Sequence, residues 1–255
     1  MKLKKCKLCG EMRELQESHA IGNAIFKKLF QKGNGSAKSY TLNDTEIRNS
    51  SDSWATPQLC FECEQYINNE YENYAIQVIR ARDKNLKFSK HLSGLSFQNI
   101  DSEKLFKYVL SVIWRGTCSN HSSYKKLISS EGMREYLKGI VKGESEIKQT
   151  IFNVRICRLS DHRQNGFSNE ILKGIIISPY SKLGKKEPTF TLNMIYEGFL
   201  FQLHVGDIGF KQRQKSGFIQ LKRDFLFVPY VNIFDIPELM LGLIETHKIG
   251  NKVKV

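Results

Sequence analysis

The sequence predicts an α+β protein in two parts, a cysteine-bearing module over residues 1–100 and a basic α+β domain over residues 101–255. Three observations support this prediction. Two C-x-x-C pairs lie in the first part, apolar residues recur with the helical period of 3.6 in both parts, and apolar and polar residues alternate with period two beyond residue 150. The alternation predicts an antiparallel sheet with flanking helices.

The two C-x-x-C pairs, Cys6 with Cys9 and Cys60 with Cys63, predict a structural metal site. A C-x-x-C turn lets two thiolates converge on one ion, and two such turns complete a tetrahedral Zn²⁺ site with no open position. The 50 residues between the pairs exceed the interval of a compact zinc ribbon, so we expect a folded segment between them. A disulfide pair and a thioredoxin-like redox motif are the alternatives.

We expect a cytoplasmic protein, because the N-terminal lysines are not followed by the apolar stretch of a secretory signal. Thiols stay reduced there, which favours metal over disulfide. No apolar run reaches the ~18 residues of a membrane helix, so we predict no membrane partner. The single Cys118 and Cys157 are expected to be core or surface thiols.

In the first part, the pattern predicts an amphipathic helix over residues 24–30 and a polar loop over residues 31–53, with a weak strand at 40–42. A strong helix is predicted from Glu64 onward. Its apolar face follows the 3.6 period at Ile67, Tyr71, Tyr74, Ala75, Val78 and Ile79.

In the second part, helices are predicted over residues 102–115, ended by Gly116, and over residues 131–140. The Trp114-Arg115 dipeptide in the first of them has two interpretations, a core Trp with an Arg that pairs with a helix acid, or an Arg that reaches phosphate. A last helix is predicted to begin at Pro237 and to end near residue 248. Strands are predicted over residues 152–159, 173–178, 189–205 and 218–228.

The charge of the chain favours an anionic partner. Its 39 Lys+Arg outnumber its 26 Asp+Glu, for a net charge of +13, and basic side chains bind phosphates by releasing counterions. Residues 1–100 hold 15 Lys+Arg against 11 Asp+Glu, so most of the excess lies in the second part.

One basic cluster there is a candidate nucleic-acid-binding surface. It surrounds a predicted hairpin between Phe210, Phe218 and Phe225, and these rings either stack on bases or point into the core. The basic residues are Lys211, Arg213, Lys215, Lys222 and Arg223.

The order of motifs in the first part resembles the zinc-bearing HNH (ββα-metal) endonucleases. The shared features are the first C-x-x-C, the dipeptide Ser18-His19 after a short strand, and Leu59-Cys60-x-x-Cys63-Glu64 at the start of a helix. A closer resemblance, covering roughly residues 6–140, is to a group of bacterial proteins that add a Glu six residues later, here Glu70, and an S-x-x-W-R helix, here Ser111 to Arg115.

The resemblance implies an HNH-like ββα module that hydrolyses DNA phosphodiester bonds, with His19 as general base and Glu64 as ligand of a catalytic Mg²⁺ or Mn²⁺. A neutral His suits the deprotonation of water, and Mg²⁺ binds through one or two oxygen ligands. Asn68 lies one turn beyond Glu64 and is a candidate second contact. Glu70 is expected to anchor a basic residue.

The functional alternatives depend on Ser18, which stands where these nucleases usually carry an acid or a His. The site is then either active with Glu17 in that role or degenerate. The first hypothesis is a metal-dependent endonuclease, in bacterial anti-phage defence beside an ATPase or sensor subunit, as the resemblance implies. The second is a non-catalytic adaptor that binds DNA or RNA on the same zinc scaffold.

Overall fold

The computed structural model describes residues 3–33, 35, 37–39, 48–184 and 190–240. The N-terminal elements are β1 (Lys4–Lys5), β2 (Met12–Arg13), β3 (Leu15–Ser18), α1 (Asn23–Lys32), β4 (Ala37–Ser39), β5 (Arg48–Ser50), β6 (Thr56–Cys60), α2 (Phe61–Ile67) and α3 (Asn73–Ile79). The strands form three antiparallel pairs, β1 with β2, β3 with β6, and β4 with β5.

The helix predicted from Glu64 is confirmed, with one difference in its middle. A π-helical turn, Asn68–Glu72, joins α2 to α3 without a break in the helical backbone. Such a turn adds one residue to the helix and rotates everything beyond it. Tyr71 and Ala75 are buried as predicted, and the turn also buries Glu72, which the apolar pattern did not predict.

Seven further strands and four further α-helices follow in the described chain. They are β7 (Lys87–His91), β8 (Gly94–Gln98), α4 (Ser102–Cys118), α5 (Glu131–Lys142), β9 (Phe152–Ser160), α6 (Asn169–Lys173), β10 (Ile177–Leu183), β11 (Phe190–Tyr196), β12 (Phe199–Val205), α7 (Phe210–Arg213) and β13 (Phe225–Asn232).

Seven of these strands form one sheet in the order β10-β11-β12-β9-β13-β8-β7. Every neighbouring pair is antiparallel except β9 with β13, which run parallel. The described chain is therefore a mixed α+β protein with a large, mainly antiparallel sheet. β7 and β8 precede residue 100 and pair with the later strands, and the division of the chain at residue 100 stays a prediction about independent folding.

Helix α4 forms the centre of the core between the N-terminal elements and the sheet. Asp101 caps its start by accepting a hydrogen bond from the Lys104 backbone N–H at 2.9 Å. Leu105, Phe106 and Val109 are among its fully buried side chains. The prediction that Gly116 ends this helix was wrong, because α4 continues to Cys118 and the missing side chain of Gly116 instead makes room for Leu127.

Several strands have other bounds than those predicted from the sequence. The hairpin β11–β12, from Phe190 to Val205, lies within the strand predicted at 189–205, and its turn residues Glu197 and Gly198 both have positive φ, as a tight hairpin turn requires. The strand predicted at 173–178 was wrong in its first half, because Ser168 caps the short helix α6 there and β10 begins only at Ile177.

The hairpin and the strand predicted around Phe218 also differ from the structure. The turn of helix α7 occupies the start of this segment, and Phe218 forms only an isolated bridge with Arg155. The strand proper, β13, begins at Phe225. The weak strand predicted at 40–42 and most of the helix predicted from Pro237 lie outside the described residues, although residues 237–240 are helical.

Candidate metal centre and buried ion-pair network

The four cysteines of the two C-x-x-C pairs meet in one cluster, as predicted. Cys6 and Cys9 lie in the turn between β1 and β2, Cys60 ends β6, and Cys63 lies in the first turn of α2. Their Sγ atoms all lie within 4.8 Å of one another. Tetrahedral Zn–S bonds of about 2.3 Å place sulfurs about 3.8 Å apart, so this set fits a structural zinc ion.

Backbone hydrogen bonds favour the thiolate form of Cys6, whereas burial raises the pKa of the Cys60 and Cys63 thiols. The Cys60 backbone N–H donates to the Cys6 Sγ at 3.3 Å. Although burial raises the pKa of the Cys6 thiol, this bond and others from the Cys9 and Leu8 backbones lower it to about 7. Since zinc binds thiolates, N–H groups directed at sulfur favour the ligand form. Cys118 and Cys157 lie outside the cluster, as predicted.

A buried ion-pair network lies next to this module, with Arg115 of α4 at its centre. The Arg115 side chain is fully buried. Its Nη2 lies 3.0 Å from the Glu72 carboxylate, and its Nη1 lies 3.7 Å from the Glu64 carboxylate. Of the two interpretations of Trp114-Arg115, the pairing of Arg115 with helix acids is therefore confirmed.

Glu72 is the member of the network that the sequence pattern missed. Glu70, the acid singled out by the resemblance, is exposed and its carboxylate lies 4.0 Å from the Lys104 ammonium, in agreement with the expectation that it anchors a basic residue. The π-helical turn brings Glu72 inward instead. Gly22 makes space for it, since a Cβ on Gly22 would lie 1.9 Å from the Glu72 Oε1. In the sequence, no spacing pattern links Gly22 to Glu72. Their proximity is visible only in the structure.

His19 lies at the end of β3, between this network and the loop before β6. Its Nε2 is 2.8 Å from the Ser53 hydroxyl, and its ring packs against Phe26 with a centroid distance of 6.2 Å. Burial lowers the pKa of His19, and the nearby positive charge of Arg115 lowers it further. The imidazole is therefore neutral at pH 7.

Ser18 is not available as a metal ligand. It is fully buried, and its hydroxyl accepts a hydrogen bond from the Leu59 N–H at 3.2 Å and donates one to the Gln16 carbonyl at 3.3 Å. Glu17, the alternative ligand, points to solvent on the opposite face of β3. The Ser18 hydroxyl also acts on Glu64, lowering the pKa of that carboxyl against the effect of burial, and His19 lies beside the network.

Glu64 and Asn68 are one helical turn apart, as predicted, but their surroundings do not fit a divalent cation. Burial raises the pKa of Glu64, and the Arg115 guanidinium offsets this only in part. One Glu64 oxygen, Oε2, is buried without a hydrogen-bond partner among the described residues. A cation there would lie beside the fully buried Arg115 guanidinium, whose positive charge opposes its binding.

The basic residues predicted to bind nucleic acid lie around helix α7 and the segment before β13. Lys211, Lys215, Lys222 and Arg223 are exposed. Arg213 differs, because its guanidinium lies 3.2 Å from the Asp207 carboxylate and donates to the Gln149 carbonyl.

The phenylalanines of this segment divide between the two interpretations. Phe218 is buried, whereas Phe210 is 69% exposed and Phe225 is 45% exposed. A shallow cavity of about 280 Å³ is lined by Lys215, Arg223 and Phe225 among others. We call Lys211, Lys215, Lys222 and Arg223 with Phe210 and Phe225 the basic-aromatic face.

Comparison with known proteins identifies no relative. No family model, no curated protein and no solved structure matches this chain. Among the described helices, none has the length and apolar character needed to cross a membrane.

Proposed function

We propose that this protein binds single-stranded nucleic acid on its basic-aromatic face and holds the strand without cutting it. The observation that carries the proposal is the pairing of four exposed basic side chains with two exposed phenylalanine rings in one short segment. Proteins that bind single strands combine cations that follow the phosphates with aromatic rings on which bases stack.

The net charge of +13 supports the same function. Lys and Arg that neutralise phosphates release condensed counterions, so binding of this kind weakens steeply as salt rises. Duplex bases are already stacked on each other, whereas unpaired bases are free to stack on Phe210 and Phe225. We therefore expect single strands to bind more tightly than duplex of the same length.

The ion-pair network supports the proposal that the protein does not cut the strand it holds. In the HNH-like module that the resemblance implies, Glu64 would hold the catalytic ion. Here Glu64 faces Arg115, Ser18 is bound to backbone groups, and Glu17 is exposed to solvent. The zinc cluster then serves as a scaffold, and the acids that remain hold the helices together.

The binding test compares two double variants with equal charge changes. Lys215→Glu with Arg223→Glu alters the basic-aromatic face, and Lys125→Glu with Lys126→Glu alters exposed lysines elsewhere. Fluorescence anisotropy with a labelled 20-nucleotide strand should show at least tenfold weaker binding for the first variant and little change for the second. Equal loss in both would show that binding follows net charge alone and would contradict a localised face.

A second candidate is the metal-dependent DNA endonuclease that the resemblance implies, in a defence setting with an ATPase or sensor partner. The observation in its favour is His19, whose neutral imidazole is the form a general base needs. Plasmid incubated with the purified protein and Mg²⁺ or Mn²⁺ tests it. Cleavage that is lost in a folded His19→Ala variant would establish this candidate over the first.

A further inference from the structure

One large cavity shares no lining residue with the cysteine cluster, the ion-pair network or the basic-aromatic face. Its volume is about 470 Å³, within the usual range for small-molecule sites. Side chains reach it from α1, the end of α3, α6 and the sheet strands β7, β8, β9, β12 and β13. None of the residues assigned a role above lines it.

The cavity is strongly basic. Six basic and two acidic side chains line it, for a net charge of +4. Both acids are already paired within the protein: Glu197 lies 2.7 Å from Lys28 and from Arg80, and Glu170 lies 2.8 Å from Lys173. The charges left without an acidic partner in the lining belong to Arg82, Lys90 and Arg158.

Arg158 is the buried one of these three. It is 5% exposed and lies over the Phe199 ring at 4.7 Å, and its Nη1 donates to the Glu197 carbonyl at 2.7 Å. Among the described residues no carboxylate forms an ion pair with it. Burial of a guanidinium without an anion is costly, and here it lowers the pKa of Arg158.

The β11–β12 turn is shaped around this guanidinium. Gly198 has a φ of +74°, and a Cβ at this position would lie 2.6 Å from the Arg158 Nη1. The turn therefore excludes larger residues that would displace the arginine. The fold holds a cation at the wall of a solvent-filled cavity, where an incoming anion can reach it.

The mouth of the cavity adds two cations and an aromatic ring. Arg82 and Lys90 are exposed. Phe88 is 36% exposed and lies on the same face of β7 as Lys90, since side chains two residues apart on a strand share a face. Its ring packs on Phe97 with a centroid distance of 5.3 Å, which fixes its position.

We propose that this cavity binds a nucleotide, with the phosphate held by Arg82, Lys90 and Arg158 and the base against the Phe88 ring. A phosphate group can accept two parallel hydrogen bonds from one arginine guanidinium. The flat face of a base can stack on an exposed phenylalanine ring. The site is independent of the basic-aromatic face. Its ligand is either a free mononucleotide or the phosphorylated end of a strand, which share this chemistry.

Isothermal titration of the full chain with AMP, GMP, CMP and UMP tests the proposal, with adenosine and inorganic phosphate as partial ligands. At least one mononucleotide should bind with a Kd below about 1 mM, and adenosine and phosphate should each bind at least tenfold more weakly. Arg82→Glu with Lys90→Glu should weaken nucleotide binding at least tenfold, and Lys125→Glu with Lys126→Glu should leave it unchanged.

A second variant, Phe88→Ala, distinguishes the contribution of the base to binding from that of the phosphate. It should weaken mononucleotide binding and leave the weak binding of inorganic phosphate unchanged, and both cavity variants should keep the thermal unfolding midpoint of the parent. A 5′-phosphorylated 12-nucleotide strand that competes with the mononucleotide identifies strand ends as the source, and a strand that does not compete identifies free nucleotides.

Three results would overturn the proposal. They are failure of all four mononucleotides to bind, inorganic phosphate binding as tightly as the best nucleotide, and nucleotide binding unchanged in the Arg82→Glu, Lys90→Glu variant. None of them bears on the basic-aromatic face, which shares no residue with the cavity.

Discussion

Arg115 joins the central helix α4 to α2 and to the π-helical turn through buried ion pairs. It is fully buried and lies between two carboxylates that come from α2 and from the π-helical turn. A buried ion pair adds little net stability over an apolar core, but removal of one partner leaves an uncompensated buried charge. The network therefore constrains which substitutions the module tolerates.

Replacement of Arg115 by Met should destabilise the protein by about 3–5 kcal/mol, because Glu64 and Glu72 would remain buried without a cation. Urea unfolding followed by circular dichroism measures the change. The triple variant Glu64→Gln, Glu72→Gln, Arg115→Met should recover most of the loss. A single variant as stable as the parent would show that Arg115 does not hold the acids.

His204 should make the protein less stable as pH falls. Burial, with help from the Arg155 charge, lowers the pKa of His204 to about 4 from an ordinary value of 6.5. Between pH 6.5 and pH 4, the unfolded chain binds a proton at His204 and the folded chain does not. The contribution of His204 to the free energy of unfolding is therefore full above pH 6.5 and declines toward pH 4.

Comparison with His204→Leu isolates this contribution. On the order of 2 kcal/mol of the loss between pH 7 and pH 4 should disappear in the variant, because leucine does not titrate. Unfolding free energies measured in urea at four pH values give the two curves. Parallel curves would mean that the folded protein protonates His204 as readily as the unfolded chain does.

Among the elements, α4 shows how packing overrides a local signal. A glycine near the end of a helical pattern usually marks its end. Gly116 does not, because α4 passes so close to Leu127 there that a Cβ would force the Leu127 side chain to move.

Gly116→Ala should therefore destabilise the protein by about 1–3 kcal/mol despite the better helix propensity of alanine, since the new Cβ would lie 2.8 Å from the Leu127 side chain. Gly132 in α5 is the matched control, because nothing lies within 4 Å of a Cβ there. Gly132→Ala should stabilise by up to about 1 kcal/mol. Thermal unfolding compares them, and a stabilising Gly116→Ala would refute the packing argument.

The elements also show what the sequence could predict about the site. The C-x-x-C spacing was enough to predict the cysteine cluster, because metal ligation follows local geometry. The 3.6 period was enough for the helix beyond Glu64, but it did not predict the π-helical turn or the burial of Glu72 beside Arg115. The basic cavity had no sequence signal, because its lining comes from strands far apart in the chain.

At the scale of the whole molecule, metal binding at the cysteine cluster is expected to contribute to the free energy of folding. It joins the turn between β1 and β2 to the junction of β6 and α2, which 50 residues of chain separate. A metal site absent from the unfolded chain adds its binding free energy to folding.

Elemental analysis should find one zinc per chain, and a strong chelator should lower the thermal unfolding midpoint. Cys9→Ser should lose the metal, whereas Cys118→Ala, outside the cluster, should keep it. Cys9 is exposed, so its replacement costs little packing of its own. Full zinc content in the Cys9→Ser variant would contradict a four-cysteine site.

The whole molecule combines a four-cysteine cluster near the N-terminus, a central helix and a large sheet, and most of its net positive charge lies beyond residue 100. The central claim is that this arrangement holds nucleic acid and leaves it intact. Salt should oppose this binding strongly, since counterion release supplies much of it.

The most direct measurement is one titration of a labelled 20-nucleotide strand with the zinc-loaded protein in Mg²⁺, read by anisotropy and then on a denaturing gel. The account predicts saturable binding that weakens steeply with salt, with every bound strand at full length. Cleaved strands, or anisotropy that does not change at modest salt, would contradict it.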